Sequence, residues 1–213
     1  MKKLLTFLLL SFIATQIVAQ EKNINAFISY GTFNITGEND TPYLETYITF
    51  DCNSLVYVKN QNGQYEASIN LTILFKQGES IKNYDKYIVT SPQVADTTNL
   101  NGFFMDVQRY SLANGDYQME VTIEDANNKT ENPFIVSETI TVDFPENICF
   151  SSIIALEDYK PSTAESANSK NGYDLIPMVM PYYPESIGRL TFYAEINNTK
   201  KMLGENEKYL LNT

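Results

Sequence analysis

Residues 65–75 read YEASINLTILF, and this stretch decides the fold class. From Tyr65 to Phe75 every second side chain is apolar, and polar side chains stand between them as far as Thr72. A period of two sustained over this length is typical of an antiparallel strand that buries one face and exposes the other. The stretch therefore predicts a half-buried strand, whereas no long segment of the chain has a helical period.

The same alternation recurs in residues 117–124 and 190–196. Further strand candidates, separated by turn-rich pieces, lie at residues 24–33, 43–50, 55–58, 81–89, 103–107 and 134–144. Seven or eight short strands over about 125 residues are the number that a β-sandwich needs. Residues 20–145 are therefore predicted to form an immunoglobulin-like or fibronectin-III-like antiparallel β-sandwich, which places the chain in the all-β class.

A glycine-containing turn, LANGDY at residues 112–117, leads into a strand that opens with Tyr117. Sandwiches of this kind often carry a tyrosine near the start of their penultimate strand, where its hydroxyl bonds to backbone a few residues upstream. Tyr117 is therefore a candidate for this tyrosine corner. The alternative is a hairpin strand that happens to begin with tyrosine, and both interpretations give the same fold.

The first sandwich is expected to end at Pro145, because proline cannot donate to a continuing strand ladder. Residues 146–213 are predicted to form an incomplete second β-sandwich, with strands near residues 149–156, 173–180, 190–197 and 209–211. A complete sandwich takes about 100 residues. Either the chain continues in a longer parent, or another chain completes the half-domain, since open strand edges invite pairing.

Between these strands runs a polar stretch, residues 158–172, which cannot bury much apolar surface. Within it, Ser162 and Glu165 have the Ser-x-x-Glu spacing of a helix capping box. The stretch is expected to hold either one short helical turn or an irregular loop.

Residues 1–19 have the three parts of a secretory signal peptide: the charges of Lys2 and Lys3, an apolar run over residues 4–13, and a more polar end at Ala19. The apolar run is short for a retained membrane anchor. We therefore expect cleavage near Ala19, no membrane span in the mature chain, and a periplasmic, outer-surface or secreted location.

The mature chain would be strongly acidic. Removing the signal takes away Lys2 and Lys3 and no acid, so 15 basic residues become 13 against 26 acidic ones, and the formal charge moves from −11 to −13. Such a surface repels nucleic acid. Arg109 and Arg189 are the only arginines, too few for a phosphate-reading cluster. Nucleic acid is therefore not an expected partner.

The chain lacks the residues that most enzymes of known mechanism use. It contains no histidine, which removes the commonest general base near neutral pH, and it has no Gly-x-Ser-x-Gly, phosphate-binding or Cys-x-x-Cys motif. Paired carboxylates such as Glu124 and Asp125, or Glu157 and Asp158, are sequence neighbours that would point to opposite faces of a strand. The chain is predicted not to be an enzyme, and no catalytic residue is assigned.

Two kinds of ligand remain conceivable from composition. Calcium takes oxygen ligands from loops, so residues 38–40 and 124–128, both rich in Asp, Glu and Asn, are the candidate loops, although neither has EF-hand spacing and both suit ordinary turns. No other cofactor is expected. The 15 tyrosines could bind carbohydrate, yet tyrosine is also common in strands for its packing alone, and the chain has no tryptophan.

Cys52 and Cys149 are the only cysteines. Oxidising conditions outside the cytoplasm would permit a disulfide between them, but two cysteines define no framework and buried free thiols are common. Free thiols are the favoured expectation.

Several short segments carry a resemblance to known sequences: PYLETY at residues 42–47, FKQG at 75–78, YDKY at 84–87, GYDLIP at 172–177 and LTFYAE at 190–195. Together they resemble a group of uncharacterised exported proteins of Bacteroidetes bacteria, which are longer chains built of immunoglobulin-like sandwiches. The resemblance implies an exported location and a longer parent, and it brings no catalytic or binding residue. Cys52 stands where that group's Phe-Asp-Gly-Asn-Ser pattern has glycine.

Taken together, these features favour a non-enzymatic adhesion, scaffold or envelope-assembly module that works with a protein partner or with further domains of a longer parent chain. The alternative is a carbohydrate-binding or enzyme-accessory module of a polysaccharide-handling system.

Overall fold

The computed structural model of the chain describes residues 23–35, 41–129, 132–164, 166–179 and 188–212. The predicted signal peptide, residues 1–19, lies outside these ranges. Within them the chain is built mostly of antiparallel strands, as the all-β prediction required. No helix in the described ranges is long and apolar enough to cross a membrane.

Two sheets form the first unit. The strands are β1 (Ala26–Ile35), β2 (Thr41–Asp51), β3 (Val58–Lys59), β4 (Tyr65–Glu66), β5 (Ser68–Gln77), β6 (Ser80–Thr90), β7 (Phe103–Ser111), β8 (Gly115–Asp125) and β9 (Phe134–Val142). One sheet has the order β1-β2-β7 and the other the order β6-β5-β8-β9, while β3 and β4 form a small hairpin. A single 3-10 turn, Cys52–Ser54, follows β2 in the described part.

This strand order identifies the type of sandwich. In the constant-type immunoglobulin order, the fourth strand joins the sheet of the first two. Here β6 instead pairs with β5 over almost its whole length, from Ser68 opposite Thr90 to Gln77 opposite Ser80. The three-plus-four arrangement is the fibronectin-III-like version of the predicted fold.

The core lies between the two sheets and follows from the period of two. In β5, the residues Ile69, Leu71, Ile73 and Phe75 are fully buried while their neighbours are only half-buried. Residues of the same kind from β2, β8 and β9 complete this core. The alternation quoted for residues 65–75 is confirmed, although the strand pairing breaks at Ala67 between β4 and β5.

Strand β2 is buried on both of its faces. Leu44, Ile48 and Phe50 point into the sandwich core, whereas Tyr47 joins a second apolar cluster on the opposite side of the sheet. The sheet β1-β2-β7 is therefore the middle layer of the molecule, since each of its faces is covered.

The covering layer comes from the second unit. Its elements are β10 (Cys149–Phe150), β11 (Ile154–Pro161), β12 (Ser169–Lys170), β13 (Tyr173–Pro177), β14 (Thr191–Tyr193), β15 (Ile196–Asn197) and α1 (Thr199–Leu203). Strands β12-β13-β11-β14 form one sheet, and β10 pairs with β15. Buried side chains of this sheet pack against the outer face of the middle layer: Ile154, Leu156 and Leu175 against Phe33, Tyr47 and Val107. The sheet of the second unit thus packs on the first sandwich through the outer face of the middle layer.

Some local expectations were wrong. Residues 55–57 are not a strand, because Leu55 is fully buried directly after the 3-10 turn. Residues 209–211 form no strand and are exposed. At Ser162 a helical turn and an irregular loop were both open; the described residues around it contain no helix, and the Ser162 hydroxyl bonds to the Asp174 carboxylate. Glu165 lies outside the described ranges.

Candidate functional site

A charged cluster lies where the second unit meets the middle layer; its Glu45 and Lys170 side chains are buried, whereas the Arg109 side chain is 41% exposed. The cluster consists of Phe33, Tyr43, Glu45, Tyr47, Arg109, Lys170 and Tyr193, and we call it the junction cluster. Glu45 lies in β2 directly opposite Arg109 of β7, so both side chains share the outer face of the sheet. Lys170 comes from β12 of the second unit and reaches across to the same face.

Glu45 is the centre of the ion pairs. One oxygen, Oε2, lies 2.5 Å from Arg109 Nε and 3.2 Å from Lys170 Nζ. The other oxygen, Oε1, accepts a hydrogen bond from the Tyr47 hydroxyl. Both oxygens of the buried carboxylate are therefore satisfied, which is the condition under which a protein interior tolerates a charge.

Lys170 is enclosed by aromatic side chains. Its Nζ lies 3.6 Å from the centre of the Phe33 ring and donates a 2.7 Å hydrogen bond to the Tyr43 hydroxyl. The ring of Tyr193 is 5.9 Å away. Cation–π attraction strengthens when the ammonium is desolvated, and the lysine side chain here is only 5% exposed.

Burial changes the acidity of these groups. Desolvation lowers the pKa of Lys170, and the negative charge of Glu45 opposes that effect. Desolvation also raises the pKa of Tyr43 and Tyr47, and nearby carboxylates, including Glu45, add to the rise. The tyrosines therefore stay neutral at physiological pH and act as hydrogen-bonding partners.

A second layer of hydrogen bonds holds the lysine-bearing hairpin in place. The Asp174 carboxylate accepts bonds from the hydroxyls of Ser162 and Ser169, and these bonds lower its pKa. Arg109 also donates from Nη2 to the carbonyl of Ala167 at 2.9 Å. The arginine thus ties β7 both to Glu45 and to the loop that precedes Lys170.

Tyr193 extends the network to the far side of the cluster. Its hydroxyl donates to Glu195 Oε1 at 2.6 Å and accepts from Asn171 Nδ2 at 2.7 Å. The charge of Glu195 acts favourably on Lys170, so two carboxylates face the two cations. The cluster is electrically balanced within the chain.

The ion pair between Glu45 and Lys170 is enclosed and joins the two units. The Glu45 and Lys170 side chains are 2% and 5% exposed, and the Lys170 ammonium is occupied by internal partners, so a substrate has no approach to either charge. Charged pairs of this kind specify one arrangement of the groups they join, because a displaced unit would leave a buried charge unpaired. The chemical capacity of the cluster is to hold two units in a fixed orientation.

Tyr117, which the sequence singled out, lies elsewhere. It is buried near the start of β8, and its hydroxyl donates a 2.8 Å hydrogen bond to the carbonyl of Ala113. This is the upstream backbone bond that a tyrosine corner makes. The residue fastens a turn of the first sandwich and takes no part in the junction cluster.

Cys52 lies in the 3-10 turn after β2 and Cys149 in β10, and both are free thiols. No disulfide joins them in the structure. The structure does not bring the two residues together into a site.

The structure describes one of the two candidate calcium loops. Residues 38–40 lie outside the described ranges. In residues 124–128, Asp125 accepts backbone hydrogen bonds from Val56 and Asn127, so its carboxylate shapes the turn. No group of three or more acidic or cysteine side chains that could hold a metal ion occurs in the described part of the chain.

The junction cluster itself was not predicted. One signal was available: Glu45 is the only charge within residues 43–50, a segment otherwise made of apolar, aromatic and threonine residues. A charge at the middle of such a strand requires a partner. The sequence does not show that this partner is Lys170, because Lys170 lies far along the chain. Its contact with Tyr43, on the same strand as Glu45, spans 127 positions.

No family model matches this chain, and neither the curated proteins nor the solved structures contain a significant match to it.

Proposed function

We propose that this protein is an exported, non-enzymatic adhesion, scaffold or envelope-assembly module that binds another protein through its second unit. The observation that supports this is a concentration of exposed apolar side chains there. Ile153, Phe192 and Leu190 are 67%, 54% and 61% exposed, and Phe150 and Ile176 are exposed as well. Exposed apolar side chains that form patches mark interaction surfaces.

The junction cluster supports the same function. A binding surface is most effective when it is held rigid before the partner arrives, because less conformational freedom is lost on binding. The buried Glu45–Lys170 ion pair fixes the second unit on the middle layer, and with it the exposed side chains in and beside β11 and β14. The exported location and the absence of catalytic motifs come from the sequence and remain part of the proposal.

The test is a pull-down from the envelope fraction of the native source with the intact protein and two variants. Phe192→Ser changes the proposed surface, and Ile88→Ser changes an equally exposed side chain on the first sandwich. We expect a partner protein that the intact protein and Ile88→Ser retain and that Phe192→Ser loses. Repeated recovery of no specific protein by the intact chain would contradict the proposal.

Carbohydrate binding is the second candidate, and one contact favours it. Tyr159 and Tyr173 are both about half exposed on neighbouring strands, with ring centres 5.9 Å apart at an angle of 68°. An exposed aromatic pair can offer a face to a sugar ring. A glycan array should then give a signal that Tyr173→Ala removes, and an array without signal would exclude this function.

A further inference from the structure

Strand β1 has an open edge. It is the terminal strand of the sheet β1-β2-β7, and among the strands that the structure describes it pairs only with β2, on its inner side. In antiparallel pairing, alternate residues direct their backbone N–H and C=O groups to opposite sides of the strand. The carbonyl of Asn25 accepts a hydrogen bond from the N–H of Asp51 in β2. The backbone groups of the odd-numbered residues of β1 therefore point towards β2, and those of the even-numbered residues point outward.

One outward position is already filled. The backbone of Thr32 accepts a 2.9 Å bond from the N–H of Ser152 and donates a 2.8 Å bond to the Ser152 hydroxyl. The outward backbone groups of Ile28 and Tyr30 have no partner among the described residues. The edge is therefore paired at one end and open over the preceding half of the strand.

Most edge strands carry features that prevent further pairing, such as charged residues, proline or bulges. Strand β1 carries none of them: its ten residues, AFISYGTFNI, contain no charge and no proline, and its register with β2 is unbroken. The edge strands of the opposite sheet differ, since β6 carries Lys82, Asp85 and Lys86 and β9 carries Glu138. Of these edges, β1 is the one without such protection.

The open edge borders an apolar groove. Residues 26–30 form one wall, and residues 153–155 and 177–179 of the second unit form the other, enclosing about 440 Å³. None of these residues is charged. The groove arises because the chain bonds to the edge of β1 only at Ser152 and then enters β11, which pairs with β13 and β14 instead.

We propose that this groove binds an extended segment of a partner protein, which adds to the sheet as a strand beside β1. The inference rests on the proposed function and names its site and the form of its ligand. An added strand can form hydrogen bonds with the free backbone groups of the edge, and its alternating apolar side chains can pack into the apolar groove. The groove between this edge and residues 153–155 and 177–179 holds about 440 Å³, which suits a short extended segment rather than the folded sheet of a second copy of this sandwich.

The probe is a synthetic peptide, Lys-Thr-Val-Thr-Ile-Thr-Val-Thr-Lys, blocked at both ends, with a second version N-methylated at its three apolar residues and a third N-methylated at the threonines between them. N-methylation removes a donor N–H and leaves the side chain in place. Because a strand directs alternate N–H groups to opposite sides, one methylated peptide should bind and the other should not. Binding is measured by calorimetry, and hydrogen exchange should show new protection at Ile28 and Tyr30.

A matched pair of variants localises the binding. Ser29 is exposed in the groove, and Ser80 is exposed on the charged edge strand β6. Ser29→Lys places a charge against the apolar ligand and should weaken peptide binding at least about tenfold, whereas Ser80→Lys should leave it unchanged. Equal loss in both variants, or equal binding of both methylated peptides, would show that no strand is added at β1.

If something other than a partner peptide occupies the groove beside β1, these experiments give different results. Self-association of the protein that Ser29→Lys abolishes would identify a second copy as the ligand and overturn the peptide proposal. Protection of Ile28 and Tyr30 before any peptide is added would show that the chain covers its own edge. If the envelope partner still binds Ser29→Lys but not Phe192→Ser, the proposed function stands and the β1 site fails.

Discussion

At the residue scale, several buried polar groups of the described residues have partners that account for their burial. Glu45 has Arg109, Lys170 and the Tyr47 hydroxyl, and Asp125 turns a loop by accepting backbone bonds. The Tyr117 hydroxyl donates a hydrogen bond to the Ala113 carbonyl and so fastens the turn between them. Removing one member of such a set leaves the other buried and unsatisfied, which costs more than the bond itself contributes.

Tyr117→Phe tests the turn bond. The substitution keeps the buried ring and removes the hydroxyl that bonds to Ala113, so the unfolding free energy should fall by about 1–2 kcal/mol. Urea denaturation followed by circular dichroism measures the change. Tyr84→Phe removes an exposed hydroxyl and should stay within about 0.5 kcal/mol of the original protein. Equal effects of the two substitutions would mean that the Tyr117 bond contributes nothing.

Lys170→Met tests the junction cluster. The change keeps an apolar chain against Phe33 and Tyr193 but leaves Glu45 with one cation fewer, so we expect a loss of about 3 kcal/mol in unfolding free energy. In a double-mutant cycle with Glu45→Gln, the two losses should not add, with a coupling of at least about 1 kcal/mol.

The matched control for this cycle is an exposed ion pair. Lys200 bonds to Glu205 with both side chains more than 70% exposed, and Lys200→Met should change stability by less than about 0.5 kcal/mol. Additive losses at Glu45 and Lys170 would show that these residues are not energetically linked.

At the element scale, the close approach of the second unit depends on a glycine in β1. A Cβ on Gly31 would stand 2.6 Å from Ile154 Cδ1, 3.1 Å from the Phe33 ring and 3.3 Å from Ser152 Cβ. Gly31 faces the second unit from the middle of β1, beside the point where Ser152 pairs with Thr32. The absent side chain makes room for β11.

Gly31→Ala should therefore push the second unit outward. We expect a loss of about 1–2 kcal/mol from overpacking. Ile154→Val removes the methyl group nearest to the new Cβ, so the double variant should be more stable than the sum of the two single losses implies. Thermal denaturation of the four proteins gives the comparison, and strict additivity would show that Gly31 and Ile154 do not compete for space.

At the scale of the whole molecule, five tyrosines have a pKa raised far above the ordinary value of 10.0, in each case first by burial. They are Tyr43, Tyr47, Tyr87, Tyr110 and Tyr193. These residues lie in both apolar clusters and on both sides of the middle layer. Ionisation of these tyrosines would therefore destabilise both the sandwich core and the junction cluster.

The sign of the pH dependence follows. A tyrosine whose pKa is raised by folding stabilises the native state fully below pH 10, and that stabilisation is lost as pH rises because only the unfolded chain can release the proton. Lys170, whose pKa is lowered from 10.5, acts in the opposite direction, but it is one group against five. Stability should fall steeply above about pH 10.

Ultraviolet absorbance of tyrosinate, recorded together with circular dichroism, measures this transition. Absorbance from the buried tyrosines should appear only as the β signal disappears. Full ionisation of all tyrosines while the β signal is intact would contradict the prediction.

Much of the fold was predictable from local pattern, and most of the site was not. The alternation of residues 65–75 correctly gave β5 and its buried face, and the turn at residues 112–117 correctly placed the start of β8. The segment at residues 55–58 was misread because Leu55 is buried by a 3-10 turn, which apolar content alone does not distinguish from a strand. Glu45 stood out as an unusual charge, but its partners did not.

The sequence by itself determined the alternating strands, the two-sheet core and the lack of histidine chemistry, because each is a property of neighbouring residues or of composition. Only the tertiary structure decided that β2 is buried on both faces and that Lys170 pairs with Glu45 inside an aromatic enclosure. It also decided that half of the outer edge of β1 has no strand beside it among the described residues. These features arise when two distant parts of the chain pack, and packing of that range leaves no periodic mark in the sequence.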